Sequence, residues 1–226
     1  MTHPLSAHKY PRRSNGPLCL FFILAILLLA GCAGRGKPQY QVNQYLLDYA
    51  APAIAISSPV TETLRLERFA VAVAYNNTNM AFRSDRLAID AFNYSRWAVN
   101  PADMTADLLL RDLRAGGFFA AVFSRYEQDN GRFVLQGAVE EFYLDMAPSS
   151  KKAVLSLTVT LKDLSRKEAA RRIIFQKKYA AAEALTEETP GGFAKAMSKA
   201  MQGLTEEILK DIYSGAQKAQ AARQAP

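Results

Sequence analysis

The stretch NPADMTADLLLRDLRAGGFFAAVF, residues 100–123, sets the architecture. Asn100 is a capping residue, Pro101 suits the first helical position, and Asp103 sits where a helix dipole favours an anion. Met104, Leu108, Leu109 and Leu113 keep helical spacing, with Leu110 beside them, so the apolar face is broad. Gly116-Gly117 then stops the helix. Phe118 to Phe123 is an apolar run of strand length, which predicts a helix packed on a sheet and a right-handed crossover onto that same sheet.

Downstream, residues 132–146 and 151–164 read as paired strands joined by Ala147-Pro148-Ser149-Ser150. In the second, Leu155, Leu157, Val159 and Leu161 alternate with Ser156, Thr158, Thr160 and Lys162, the pattern of a half-buried strand. Residues 172–180 return as a third antiparallel strand. Thr189-Pro190 opens a helix with Phe193, Met197, Met201, Leu204, Ile208 and Ile212 on its inner face, expected to end at Gly215. Upstream, Tyr45–Tyr49 reads as a short strand, and 64–75 as a strand whose parity slips between 66 and 69. Residues 80–83 and 87–94 follow the polar turn 76–79 as a hairpin. The expected fold is therefore α/β (α+β-like), one domain: a mixed, mainly antiparallel sheet with two long amphipathic helices packed on it.

The N-terminus has a separate logic. Lys9, Arg12 and Arg13 precede an apolar run from Leu18 to Ala30, and small residues follow, which is the build of a secretory signal peptide. Thirteen apolar residues fall short of the ~20 that a membrane span needs. Leu29-Ala30-Gly31-Cys32 resembles the bacterial lipobox, which implies a mature chain starting at a lipid-modified Cys32. The organisation expected is 1–31 signal, 32–42 lipidated tether, 43–213 domain and 214–226 flexible tail. The GRGK at 34–37 lacks the spacing of a phosphate loop.

Removal of residues 1–31 from the 226 leaves 195, and takes His3, His8 and Cys19 away. A mature chain with no histidine and one lipid-bearing cysteine has no His/Cys zinc site, histidine triad, thiolate nucleophile or internal disulfide. No metal, no cofactor beyond the covalent lipid, and no catalytic residue is expected. The whole chain carries +7, of which the signal holds +3. The remaining mild positive charge suits anionic head groups or an acidic protein face, not nucleic acid.

Four features remain as candidates. Glu140-Glu141 would act as an acid/base pair only if a bulge let both carboxylates converge, since strand neighbours point to opposite faces. The basic hairpin 162–178 holds seven cations, with Arg166, Lys167, Arg171 and Arg172 at its tip, against two acids. It reads either as a contact for lipid phosphates or an acidic partner, or as a solvated edge that resists aggregation. Trp97, the single tryptophan, is either a core residue below a helix start or an exposed anchor. Met197 and Met201 are core packing or the wall of a hydrophobic groove.

The order of features resembles the ABC-type transport auxiliary lipoprotein family, which accompanies MCE-type lipid transporters, the paraquat-inducible system included. The resemblance runs over roughly 43–213. It rests on the lipobox, YLL at 45–47, LRLERFAV at 64–71, MAFRSDRLAI at 80–89, RWAVNPADMTADLLLRDL at 96–113, LQGAVEEFYLD at 135–145 and the helix at 193–212. AVAYNNTN, 72–79, departs from the family's usual proline-containing turn. The resemblance implies a non-enzymatic lipoprotein on the periplasmic side of the outer membrane. It would dock onto the MCE-type periplasmic protein of a transporter for phospholipid or other hydrophobic molecules, with room for a homo-oligomer. Ala33 after the cysteine is not the aspartate of an inner-membrane retention signal. A different class, an envelope-assembly or structural lipoprotein, fits the same residues.

Overall fold

In a computed structural model, residues 40–129, 131–147 and 151–224 are described. The signal run, Cys32 with its tether to Gln39, and Pro148–Ser150 of the turn lie outside the described residues. The described chain forms strands β1 (Asn43–Tyr45), β2 (Val60–Leu66), β3 (Ala70–Val71), β4 (Asn79–Arg83), β5 (Asp90–Trp97), β6 (Phe119–Phe123), β7 (Phe133–Asp145), β8 (Lys152–Asp163) and β9 (Ile173–Ala184). Its helices are α1 (Pro101–Ala115), the single turn α2 (Ala169–Arg172) and α3 (Pro190–Gln224).

β7 is the spine of one mixed sheet. Along one side β8 runs antiparallel over the full length, Phe133 opposite Asp163 and Asp145 opposite Lys152, and β9 runs antiparallel to β8. Along the other side β2, β3 and β4 follow one another, all parallel to β7. β2 carries β6 outside it; β4 carries β5 and then β1. The two longest ladders, β7–β8 and β8–β9, are antiparallel, as is the short β4–β5 pair; the other pairs are parallel. The lower end of the sheet is where β7 begins and β8 ends; the upper end is where β4 and β7 end and β5 begins.

The helices form for the reasons their sequences contain. The Asn100 side chain accepts from Ala102 N at 2.9 Å, Pro101 occupies the first turn, and Gly117 takes a φ of 61° where the helix stops. Leu109 and Leu113 are fully buried. On α3, Phe193, Met197, Met201, Ile208 and Ile212 are fully buried and Leu204 nearly so, over the odd-numbered face of β8 from Ala153 to Leu161. The methionines are therefore core.

Three expectations are corrected. First, β6 does join the same sheet but lies beside β2 at the far edge, antiparallel to β5. Both edges of β5 are already occupied, by β4 and β1, so the chain leaving α1 reaches the open edge of β2 instead. Second, only Asn43–Tyr45 is strand at the start, yet Leu47 and Tyr49 are buried. Side chains hold that segment: the Tyr49 hydroxyl donates to Asp112 Oδ2 at 2.8 Å and lies 3.0 Å from Thr205 Oγ1, which joins it to both long helices. Residues 67–75 likewise break into β3 and a 3-10 turn, Val73–Tyr75, after Phe69 turns into the core. Third, the tail expected from 214 is helix to Gln224. Gly215 does not end it; a Cβ there would stand 3.1 Å from Ile174, so the bare glycine lets α3 lie close to β9 and continue. Ala216 and Ala219 are buried beyond it.

Candidate functional site: the basic lower end

The tip between β8 and β9 is built on a buried ion cluster. Arg132 and Asp163 are 8% and 1% exposed and meet in a fork, Nε to Oδ1 at 3.0 Å and Nη2 to Oδ2 at 2.9 Å. Arg132 also reaches Glu62 at 3.1 Å and donates to the Ala219 carbonyl at 3.2 Å, tying β2 and α3 into the cluster. Asp163 then accepts from Ser165 N at 3.0 Å and Ser165 Oγ at 2.7 Å, which turns the chain out of β8. Burial alone would raise the Asp163 carboxyl; the bonds from Arg132 and Ser165 outweigh it and hold the group below the ordinary carboxylate range.

The four tip cations have different partners. Arg172 donates Nε to the Arg166 carbonyl at 2.8 Å and Nη2 to that of Lys167 at 3.4 Å, so its guanidinium closes the loop. Arg171 pairs with Glu168 at 2.8 Å, both largely exposed. Arg166 stands 3.9 Å from Asp163, and Lys167 makes no ion pair among the described residues. Further up the hairpin, away from the tip, Lys177 is held by Glu207 and Asp211 of α3, and Lys178 by Glu140.

Between the tip and the last turns of α3 lies a hollow of about 390 Å³. Arg166 and Arg171 line it with Lys218 from α3, alongside Ile173, Ile174, Gly215 and Ala222. No carboxylate is among its lining residues. Ile173 of this lining is 48% exposed. Cations next to bare aliphatic surface suit an anionic group carried on an apolar body. Lys218 is not legible as a site residue from the sequence, because the spacing Ile212, Ala216, Ala219 that continues the helix is too weakly apolar to stand out.

The remaining candidates are structural. A bulge between Val139 and Glu141 does occur, but Glu140 accepts from Thr158 Oγ1 and pairs with Lys178 at 2.8 Å. Lys178 first, then Thr158, holds the Glu140 carboxyl low, so it is an engaged acceptor and a poor proton donor. Glu141 stands instead near Tyr75 and Tyr143. Trp97 is buried edge-on against Phe142 and Phe193, each 5.3 Å away, and closes the core under the start of α3.

A family model described as the ABC-type transport auxiliary lipoprotein component matches residues 45–209. The chain belongs to that family. Family membership makes it a lipoprotein of the cell envelope that serves an ABC-type transporter in an auxiliary role. Among solved structures, a Xanthomonas campestris protein of the DUF330 family is similar at 18% identity, with a TM-score of 0.71 over 80% of this chain and 99% of that one. A second, described only as an uncharacterized protein, reaches 0.58 at 12% identity, over 76% and 99%. The PelC dodecamer of Paraburkholderia phytofirmans reaches 0.45 at 16% identity, over 73% and 94%. No curated protein matches the chain. The two likenesses above 0.5 support the fold. Among the described residues no helix is long and apolar enough to cross a membrane.

Proposed function

We propose that this auxiliary lipoprotein is non-enzymatic, is held at the outer membrane by lipid on Cys32, and docks its basic lower end onto an MCE-type periplasmic protein. The transporter so completed moves phospholipid or another hydrophobic molecule across the periplasm. The observation that carries the docking surface is the acid-free hollow in which Arg166, Arg171 and Lys218 border aliphatic side chains. Lys167 extends the same positive field; Arg172 supports it by shaping the loop. A homo-oligomer would repeat this surface and strengthen a docking contact by multivalency.

The test is affinity purification from detergent-solubilised envelopes with mass spectrometry of proteins and lipids. The expected result is recovery of an MCE-type protein or its permease, lost in the triple variant Arg166→Glu, Arg171→Glu, Lys218→Glu. Recovery of only an outer-membrane barrel, unchanged by the triple variant, would replace this reading with envelope assembly.

A further inference from the structure

Asn43 lies beside Ser95 and Tyr45 beside Trp97 in a parallel pair, and β5 runs downward from Asp90. β1 therefore also runs downward, and Val42 leads into it from its upper side. The tip joining β4 to β5, residues 84–89, stands at that same end.

This tip displays apolar side chains on an ordered turn. Leu87 is 99% exposed and Ile89 47%; Tyr94 on β5 and Val42 just before β1 are exposed as well. The turn is held from within: Asp85 Oδ1 accepts from Leu87 N at 2.7 Å and Ala88 N at 2.8 Å. Below it Phe82 packs on Phe92, ring centroids 5.2 Å apart, and Arg83 donates to the Tyr75 hydroxyl at 2.8 Å. Single exposed leucines are commonplace. A hydrogen-bonded turn that carries both Leu87 and Ile89 exposed, at the end of the sheet from which β1 is entered, is not.

We infer that the β4–β5 tip is a membrane-contact wedge: Leu87 and Ile89 enter the interface of the lipid surface that holds the anchor. The inference rests on the Cys32 anchor reading. The eleven residue steps from Cys32 to Asn43 reach about 40 Å at most, so the anchor keeps the tip near the surface at high effective concentration and a weak insertion suffices. Charge does not drive it. Asp85 is spent on its own turn, Asp90 accepts from Ala91 N, and Arg86 is the one cation of residues 84–90. The occupant is thus the apolar interface of the bilayer, with Arg86 positioned to reach phosphates.

The same orientation settles the direction of the basic end. β7 is 13 residues long, roughly 43 Å at the usual strand rise, and separates the two tips. Arg166, Arg171 and Lys218 then face away from the anchoring membrane, toward a partner and not toward its head groups.

The test uses the full lipidated protein in vesicles of phosphatidylethanolamine and phosphatidylglycerol. Leu87→Cys and, separately, Lys167→Cys are labelled with a polarity-sensitive dye; the thioether at Cys32 does not react. The expected result is a blue-shifted emission at position 87, dimmed by a lipid-borne quencher, and a water-like, unquenched emission at 167. Water-like emission at both positions, or quenching at 167 alone, overturns the orientation. The mass of the N-terminal peptide is read in parallel: an unmodified Cys32 overturns the anchor reading, and the wedge with it, independently of the dye.

Discussion

The two ends of the sheet are opposites in how they reach solvent. At the lower end, exposed cations ride on a buried ion cluster, with Arg132 and Asp163 nearly sealed from water. At the upper end, an exposed leucine rides on a turn held by one aspartate oxygen and two backbone amides. The first arrangement is expensive, because buried charges tolerate no missing partner. The second costs the fold little. The proposed docking face and the proposed membrane tip thus have different foundations.

The largest effect that can break this comparison is at Asp163. Asp163→Ala leaves Arg132 with Glu62 and the Ala219 carbonyl but without its buried carboxylate, and a loss of about 3–5 kcal/mol is expected in urea unfolding. The double change Arg132→Met with Asp163→Leu should recover most of it, since no orphaned charge remains. A loss below about 1 kcal/mol for the single variant would mean that water already shares the cluster. Stopping the chain after Ser214 is next. It removes the Ala219 carbonyl bound by Arg132 and the Gln220 side chain bound by Thr61 N at 2.9 Å. A loss of about 1–3 kcal/mol is expected in the same assay. An unchanged midpoint would restore the tail reading.

The pH dependence sharpens the same point. The native Asp163 carboxyl lies below its unfolded value of 3.8, so the unfolded chain binds its proton first as pH falls. Its stabilisation is present above that unfolded pKa and is lost as pH drops through the native one. Asp211 adds a loss in the same direction: burial would raise it, but Lys177 and Tyr179 hold it low. Unfolding free energy should fall steadily below about pH 4.5 and less steeply in Asp163→Asn. The smallest effects belong to the surface. Leu87→Ser and Arg171→Glu should each leave stability within about 0.5 kcal/mol, read by thermal unfolding. A larger loss for Leu87→Ser would show that the side chain packs in the fold and is not a free wedge.

The long periodic elements were legible in the sequence because their own residues satisfy them. The α1 cap, the Phe193–Ile212 stripe of α3 and the β7–β8–β9 meander follow from helical or twofold spacing with turn residues at the joins. The basic tip was legible as charge, but its division of labour was not. Arg172 differs from Arg171 only in finding two carbonyls, and that depends on how the loop folds back.

The sequence by itself determined the element types, the identity of the core stripes and an inventory with no histidine and one cysteine, Cys32, in residues 32–226. Tertiary structure alone decided which strand edge β6 would take, because pairing depends on which edges earlier strands have left open. It also decided that residues 215–224 stay helical, since a glycine that weakens an isolated helix becomes an asset where Ile174 needs the space. Last, it separated the ends: Leu87 and Arg166 are polar-versus-apolar detail along the chain, and become opposite poles only once β4, β7 and β8 run past one another.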